Sequence, residues 1–300
     1  MTKWEIDGGR GFGVGIGVMV VITLANAALI GLAAAHPLNF GTFIVGVAVI
    51  LGFLLAGLMG YWVYGLAASS YSVDRNVVLI SWGPSKQVIP TNEIERVFTG
   101  DEVEERIRFY GARWPGHWVG YGEIAGSGPT LFYATEPPQR QIFVATPGLV
   151  YGLSPADPEG FLESVETRRQ MGPTQSVEQS SQRPSILEWT IWKDRLGLAM
   201  LGTAALALAC LVGLLTYRFP DLPLLMPLHF GSSGAPSRLG PRADVFLLPL
   251  IGLISLLVNG GWGGLLHGRD RVASYLLWGG SLLVQVLTWT AAIGVLGRSL

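Results

Sequence analysis

The sequence predicts an α+β membrane protein: five transmembrane helices and one small β-domain closed by a C-terminal helix. Three observations carry this expectation. Half of the 300 residues are hydrophobic and only 14% are charged, with a mean hydropathy of +0.43, whereas charged residues make up about a quarter of a soluble chain. Five apolar runs reach the roughly 20 helical residues that cross about 30 Å of hydrocarbon. Between the second and third runs, Tyr71–Met171 is polar and reads as short strands separated by Gly- and Pro-bearing turns.

The apolar runs are Gly11–Ala35, Gly41–Leu66, Leu196–Thr216, Val245–Leu266 and Val272–Leu296. His36–Phe40 joins the first two, a link so short that they must form an antiparallel hairpin, with Pro37 and Asn39 supplying the break. Ala33-Ala34-Ala35 looks like a cleavage site for a signal peptide. The run is, however, far longer than an apolar signal core of about 7–15 residues, and Glu5 and Asp7 flank it, so an uncleaved helix is expected. Gly11, Gly13, Gly15 and Gly17, and the Gly52, Ala56, Gly60 series, do not have the spacing of a nucleotide loop. Small residues four apart instead suit close helix packing. Trp62 and Tyr64 are expected at a membrane interface.

In the soluble stretch, strands are expected at Tyr71–Asp74, Val77–Trp82, Ser85–Ile89, Arg106–Tyr110, Thr130–Ala134, Gln141–Ala145 and Leu149–Leu153. Asn92, with Glu95 three residues on, reads as a helix cap. A closing helix is expected after Ser154 as cap and Pro155 at its first position, with Asp157 and Glu159 early, Arg168 and Arg169 late, and Phe161, Leu162 and Val165 facing the core. Gly172–Ser185 reads as a flexible linker. Ile186–Arg195 reads as an interfacial lead-in, anchored by Trp189 and Trp192 with Lys193 and Arg195 at the headgroups. The divisions are therefore 1–66, 67–171, 172–195 and 196–300.

Two resemblances rest on these residues. The strand order, the segment Gln87–Val97, the Tyr110–Gly116 tract, Leu131–Thr135 and the closing Tyr151–Phe161 make the soluble segment similar to the bacterial pleckstrin-homology-like domains of membrane proteins. That resemblance covers about a third of the chain and implies a partly open antiparallel barrel capped by its last helix. Phe219–Leu296, with Pro227-Leu-His229-Phe-Gly231-Ser-Ser-Gly234-Ala-Pro236-Ser-Arg238-Leu-Gly240 as its signature, resembles the domain-of-unknown-function 1648 family, found in the immunity protein against a sporulation-delay toxin. Arg242 stands near where that family commonly has a lysine. The resemblance implies a bacterial plasma-membrane protein of sensing, immunity or envelope-response type, and brings no established chemistry.

Composition narrows the chemistry further. A net charge of −1 leaves no nucleic-acid footprint. The single Cys210 excludes a disulfide framework and a multi-thiolate metal site, and it reads as a packing residue. No hydrolase, zincin, dithiol or P-loop motif occurs, the four histidines are scattered, and the acidic stretch Asp101–Glu105 reads as a solvated turn. No catalytic residue, cofactor or metal is therefore expected. The apolar runs hold no charged residue, which disfavours an ion path, and Asn259 and Gln285 are assigned to helix–helix hydrogen bonds.

Two candidate sites remain. Pro227, His229, Gly231, Gly234, Arg238 and Gly240 combine a ring nitrogen, a cation and flexible backbone beside the membrane; they read either as a ligand-binding loop or as a structural turn. Arg113, Trp114, His117 and Trp118 form a tract suited to a protein or peptide partner, or else to the core or the membrane surface. Between Ala67 and Leu187 ten basic residues face fourteen acidic ones, so an anionic lipid headgroup is not the expected ligand. The expected function is a membrane-anchored, non-enzymatic binding or sensing protein; the alternative is a small transporter or lipid-modifying protein.

The basic residues set the orientation: His36–Phe40 holds none, whereas the short His267–Arg271 loop holds Arg269 and Arg271. The stretch before the first helix and residues 67–195 are therefore expected in the cytoplasm, with Tyr217–Ala243 and Leu300 outside. In a Cys210→Ala background, a cysteine at Ser232 should react with an impermeant thiol reagent on intact cells, and one at Ser180 only after lysis. The opposite pattern would invert the topology.

Overall fold

A computed structural model describes residues 1–103, 107–175, 177–182, 190–230 and 236–299, with backbone alone over 227–230, 236–239 and 298–299. The chain divides into two compact units, Met1–Ala25 with Gly52–Pro184, and Asn26–Leu51 with Ser185–Leu300.

The long helices are Gly9–Ala35 (α1) and Phe40–Ala67 (α2), then Arg195–Arg218 (α4), Leu247–Leu266 (α5) and Arg271–Ser299 (α6). All five are long and apolar enough to span a membrane, and they lie within a few residues of the expected runs. The α1–α2 link is closed by reciprocal bonds, Asn39 N–H to the Thr42 hydroxyl at 2.9 Å and Thr42 N–H to the Asn39 side chain at 3.0 Å.

The first unit carries the sheets. Their strands are Thr2–Trp4 (β1), Ser70–Val73 (β2), Val77–Trp82 (β3), Ser85–Pro90 (β4), Arg96–Thr99 (β5), Ile107–Trp114 (β6), His117–Ile124 (β7), Gly128–Ala134 (β8), Ile142–Thr146 (β9), Leu149–Leu153 (β10) and Ser180–Gln182 (β11). One sheet has the order β1-β2-β3-β4-β11 and the other β5-β9-β10-β8-β7-β6; they are not joined into a closed barrel. Pairing is antiparallel except between β8 and β10. Alternation does the sorting: Val78, Ile80 and Trp82 of β3 are buried while their neighbours are half-exposed. Residues of both sheets share one core, Tyr71, Val73, Ile80 and Ile89 with Ile142, Val144 and Leu153, and the helix Pro158–Met171 (α3) adds Phe161 and Val165 to it.

Several expectations need correction. The segment ahead of α1 is part of the domain: β1 pairs with β2, Ile6 bridges to Pro155, and Trp4 meets Phe161 edge-on at 5.8 Å. A strand not foreseen, β7, pairs with β6 along its whole length. The cap of α3 is Asp157, which accepts from Gly160 N–H at 3.0 Å, with Pro158 in the first turn. Ser154 instead accepts from Thr135 N–H at 2.7 Å. Asn92 is not the cap: it lies inside the 3-10 turn Thr91–Glu93, and Pro90 holds the cap position. Three linker residues are not free, because β11 pairs with β4. Trp189 lies outside the described residues, and Trp192 is exposed.

The second unit is held by polar contacts between helices. Gln285 donates to the Gly252 carbonyl at 2.9 Å and Trp289 to the Ala207 carbonyl at 2.9 Å. Gln285 thus bridges two helices as expected, but Asn259 donates within its own helix, to Ser255 at 3.3 Å. Trp278 is fully buried, and a Cβ at Gly197 or Gly263 would collide with its ring. Asp194 caps α4 through Gly197 N–H at 3.0 Å and also receives the Tyr275 hydroxyl at 2.8 Å, with His267 Nε2 at 3.3 Å. One carboxylate thereby gathers the ends of three helices, and its bond from Gly197 N–H holds it below the usual carboxylate range.

Tyr71 ties the first unit's core together. Its buried hydroxyl donates to the Tyr133 carbonyl and accepts from Ser154 N–H, and burial pushes it up to about 12. Tyr71→Phe leaves that N–H without its partner, so unfolding of the purified full-length protein should show a loss of about 1–3 kcal/mol.

Candidate functional site

The site builds outward from the β6–β7 hairpin. Pro115-Gly116 makes its two-residue turn; Pro fixes the first position, and Gly116 has φ 82°, as the second requires. Gly116 also sits backbone to backbone against Gly11, where a Cβ on either residue would collide with the other strand of chain. Trp114 Nε1 donates to the Gly11 carbonyl at 3.0 Å, and its ring lies 5.9 Å from Trp62. The hairpin tip is thus fastened to the beginning of α1.

Each member of the predicted partner-binding tract can now be placed. His117 is fully buried, stacked on Trp114 with centroids 3.8 Å apart, and neither ring nitrogen has a partner among the described residues. Trp114 is half-buried and engaged with Gly11 and Trp62, as above. Arg113 and Trp118 face outward together, the guanidinium 5.3 Å from the Trp118 ring centroid.

Arg113 and Trp118 stand between two adjoining cavities, one of about 740 Å³ and one of about 390 Å³. The larger is lined by Arg10, Arg113 and Arg140 and by Asp7 and Glu136, leaving one excess positive charge in a domain whose net charge is negative. Arg140 lies 3.8 Å from Glu136. Among the described residues Arg113 has no carboxylate partner. The smaller cavity is apolar on one wall, with Val103, Ile107, Phe109 and Pro138. The site therefore offers cations and an aromatic face at one end and a smaller, mixed recess with one apolar wall at the other. Arg10, Glu136 and Arg140 were not foreseen, because only the tertiary fold brings them to Arg113.

The second predicted site falls on a hairpin. Leu225–Phe230 (β12) and Pro236–Pro241 (β13) form a two-stranded hairpin that sets His229 opposite Arg238, Pro227 opposite Leu239 and Gly240 opposite Met226, with register shifts on both sides of His229. Gly231 and Gly234 lie outside the described residues. Arg242 lies over the Phe219 ring at 4.5 Å and donates to the Phe219 carbonyl at 3.3 Å.

Comparison with known families finds both of the resemblances. Residues 69–169 match the family model of the bacterial PH domain, and residues 205–253 match that of a domain of unknown function (DUF1648). The second match runs from within α4 through the β12–β13 hairpin into α5. No curated protein and no solved structure matches the chain.

The buried imidazole makes stability depend on pH. Desolvation lowers His117 from 6.5 to about 4, so the unfolded chain takes up its proton first as the solution is acidified. Stability from this group is complete above about pH 6.5 and is lost as pH falls toward 4, by roughly 3 kcal/mol. His117→Phe, which keeps a ring against Trp114, should flatten the melting temperature over that interval.

Proposed function

We propose that this membrane protein is a non-enzymatic binding or sensing component of the bacterial plasma membrane, with its PH domain in the cytoplasm. In this reading the groove divided by Arg113 and Trp118 receives an extended, acidic segment of a partner protein. One observation carries it: an arginine with no carboxylate partner among the described residues lies on a half-buried tryptophan, between an arginine-rich cavity and a smaller one with an apolar wall. Trp and Arg dominate the energy of protein interfaces where they can be fully desolvated. An acidic side chain of the segment would pair with Arg113 and Arg10, and an apolar one would fill the recess at Ile107 and Phe109. The domain's negative net charge argues against recruitment by anionic headgroups, and its attachment to two membrane helices removes the need for it.

The test uses the full chain in nanodiscs, because β1 precedes the first membrane helix and the excised domain would lack it. Acidic decapeptides carrying one Phe or Leu should bind in neutral-lipid discs. Arg113→Glu and Trp118→Ala should each weaken binding tenfold or more, about 1.4 kcal/mol, without lowering the melting temperature. Absence of binding, or its loss when anionic lipid is added at constant salt, would overturn this reading.

A further inference from the structure

In the second unit, the first half of α2 together with α4 and α5 encloses a groove of about 570 Å³. Gly46, Ala205 and Ala209 leave the space, and Phe43, Leu208 and Leu253 are among its apolar walls. Its only hydroxyls belong to Thr42 and Thr216. Thr42 donates to the Asn39 carbonyl at 2.8 Å, and Thr216 to the Val212 carbonyl at 2.8 Å. A water in the groove would therefore lack the two to four polar partners that hold buried water.

The dimensions select an occupant. From Thr42 to Ile50 the wall rises about 12 Å, from Phe246 to Leu256 about 15 Å, and from Thr216 to Ala205 about 16 Å. Half of a hydrocarbon core of roughly 30 Å is about 15 Å, the depth of one leaflet. The end at Thr42 and Thr216 adjoins Tyr217, which meets Phe40 edge-on at 6.1 Å, an aromatic pair of the kind that marks the membrane interface. The other end reaches about the mid-length of α4 and α5, the depth of the bilayer middle for helices that span it. A transmembrane helix, about 10 Å across with its side chains, would have to span both leaflets, whereas this groove spans one. We propose that it is a binding site for a single acyl chain of a phospholipid in the leaflet beside the His36–Phe40 link, with the headgroup at the level of Tyr217.

The experiment uses full-length protein in nanodiscs doped with phosphatidylcholine bearing a photoactivatable diazirine at one of two chain positions, with crosslinks mapped by mass spectrometry. A chain lying along the groove labels Thr42 and Val212 from a diazirine near the carbonyl, and Ile50 and Ala205 from one at the chain end. Labelling of these residues should exceed that of the outward-facing Leu206 and Leu257 at least fivefold. Gly46→Leu and Ala209→Phe should each remove that excess while leaving Leu206 unchanged. Labelling no stronger than at Leu206, the absence of any depth order in the wild type, or groove residues crosslinking to a second copy of the chain would each overturn the proposal.

Discussion

The backbone contact between Gly11 and Gly116 is the constraint on which the first unit depends. Two main chains come this close only where both residues lack a Cβ, and one of them must also turn with φ 82°. From that contact follow the hydrogen bond of Trp114 to the Gly11 carbonyl, the stacking of His117 beneath Trp114, and the outward placement of Arg113 and Trp118. It also brings Arg10, which belongs to the first membrane helix, to a cavity otherwise built by the β-domain. The basic end of the groove is thus assembled from a helix start, the end of a strand and a 3-10 turn.

The second unit answers a different requirement. Apolar surface gains little by leaving lipid, so helices in a membrane associate through packing and a few hydrogen bonds. Gln285 and Trp289 reach carbonyls on neighbouring helices, and Gly197 and Gly263 admit the Trp278 ring. At the helix ends, where water is near, Asp194 does comparable work with charge. The groove along α2, α4 and α5 is where this packing is incomplete, and small residues make it so.

Much of this was legible in the residues. Five apolar runs became five helices with ends displaced by only a few positions, because length and apolarity alone determine a membrane span. Strands with clear alternation, such as Val77–Trp82, were equally plain. What escaped depended on partners distant in sequence. Thr2–Trp4 carries too little pattern to announce a strand until β2 lies beside it. His117–Ile124 alternates glycine with larger residues and shows no apolar stripe. Pro227 and Pro236 disguised a hairpin as a loop, since proline is rarely read as strand. Asp157 displaced Ser154 as a cap because Ser154 was required inside, by Thr135 and Tyr71. Of the groove, only Arg113 and Trp118 could be named from their tract, while the arginines that complete it are remote neighbours.

The pairing of β1 with β2 bears on how the protein is made. The β-domain is discontinuous: its first strand is synthesised before two membrane helices, and that strand's partner only after them. Both strands lie in one sheet, so the chain must cross the bilayer and return before the edge of that sheet can be completed. Were α1 to enter alone and carry Thr2–Trp4 across, β2 would be left as a bare edge, open to pairing with other chains. The short link closed by Asn39 and Thr42 favours entry of the two helices as a pair. Completion of that sheet edge is therefore coupled to membrane insertion.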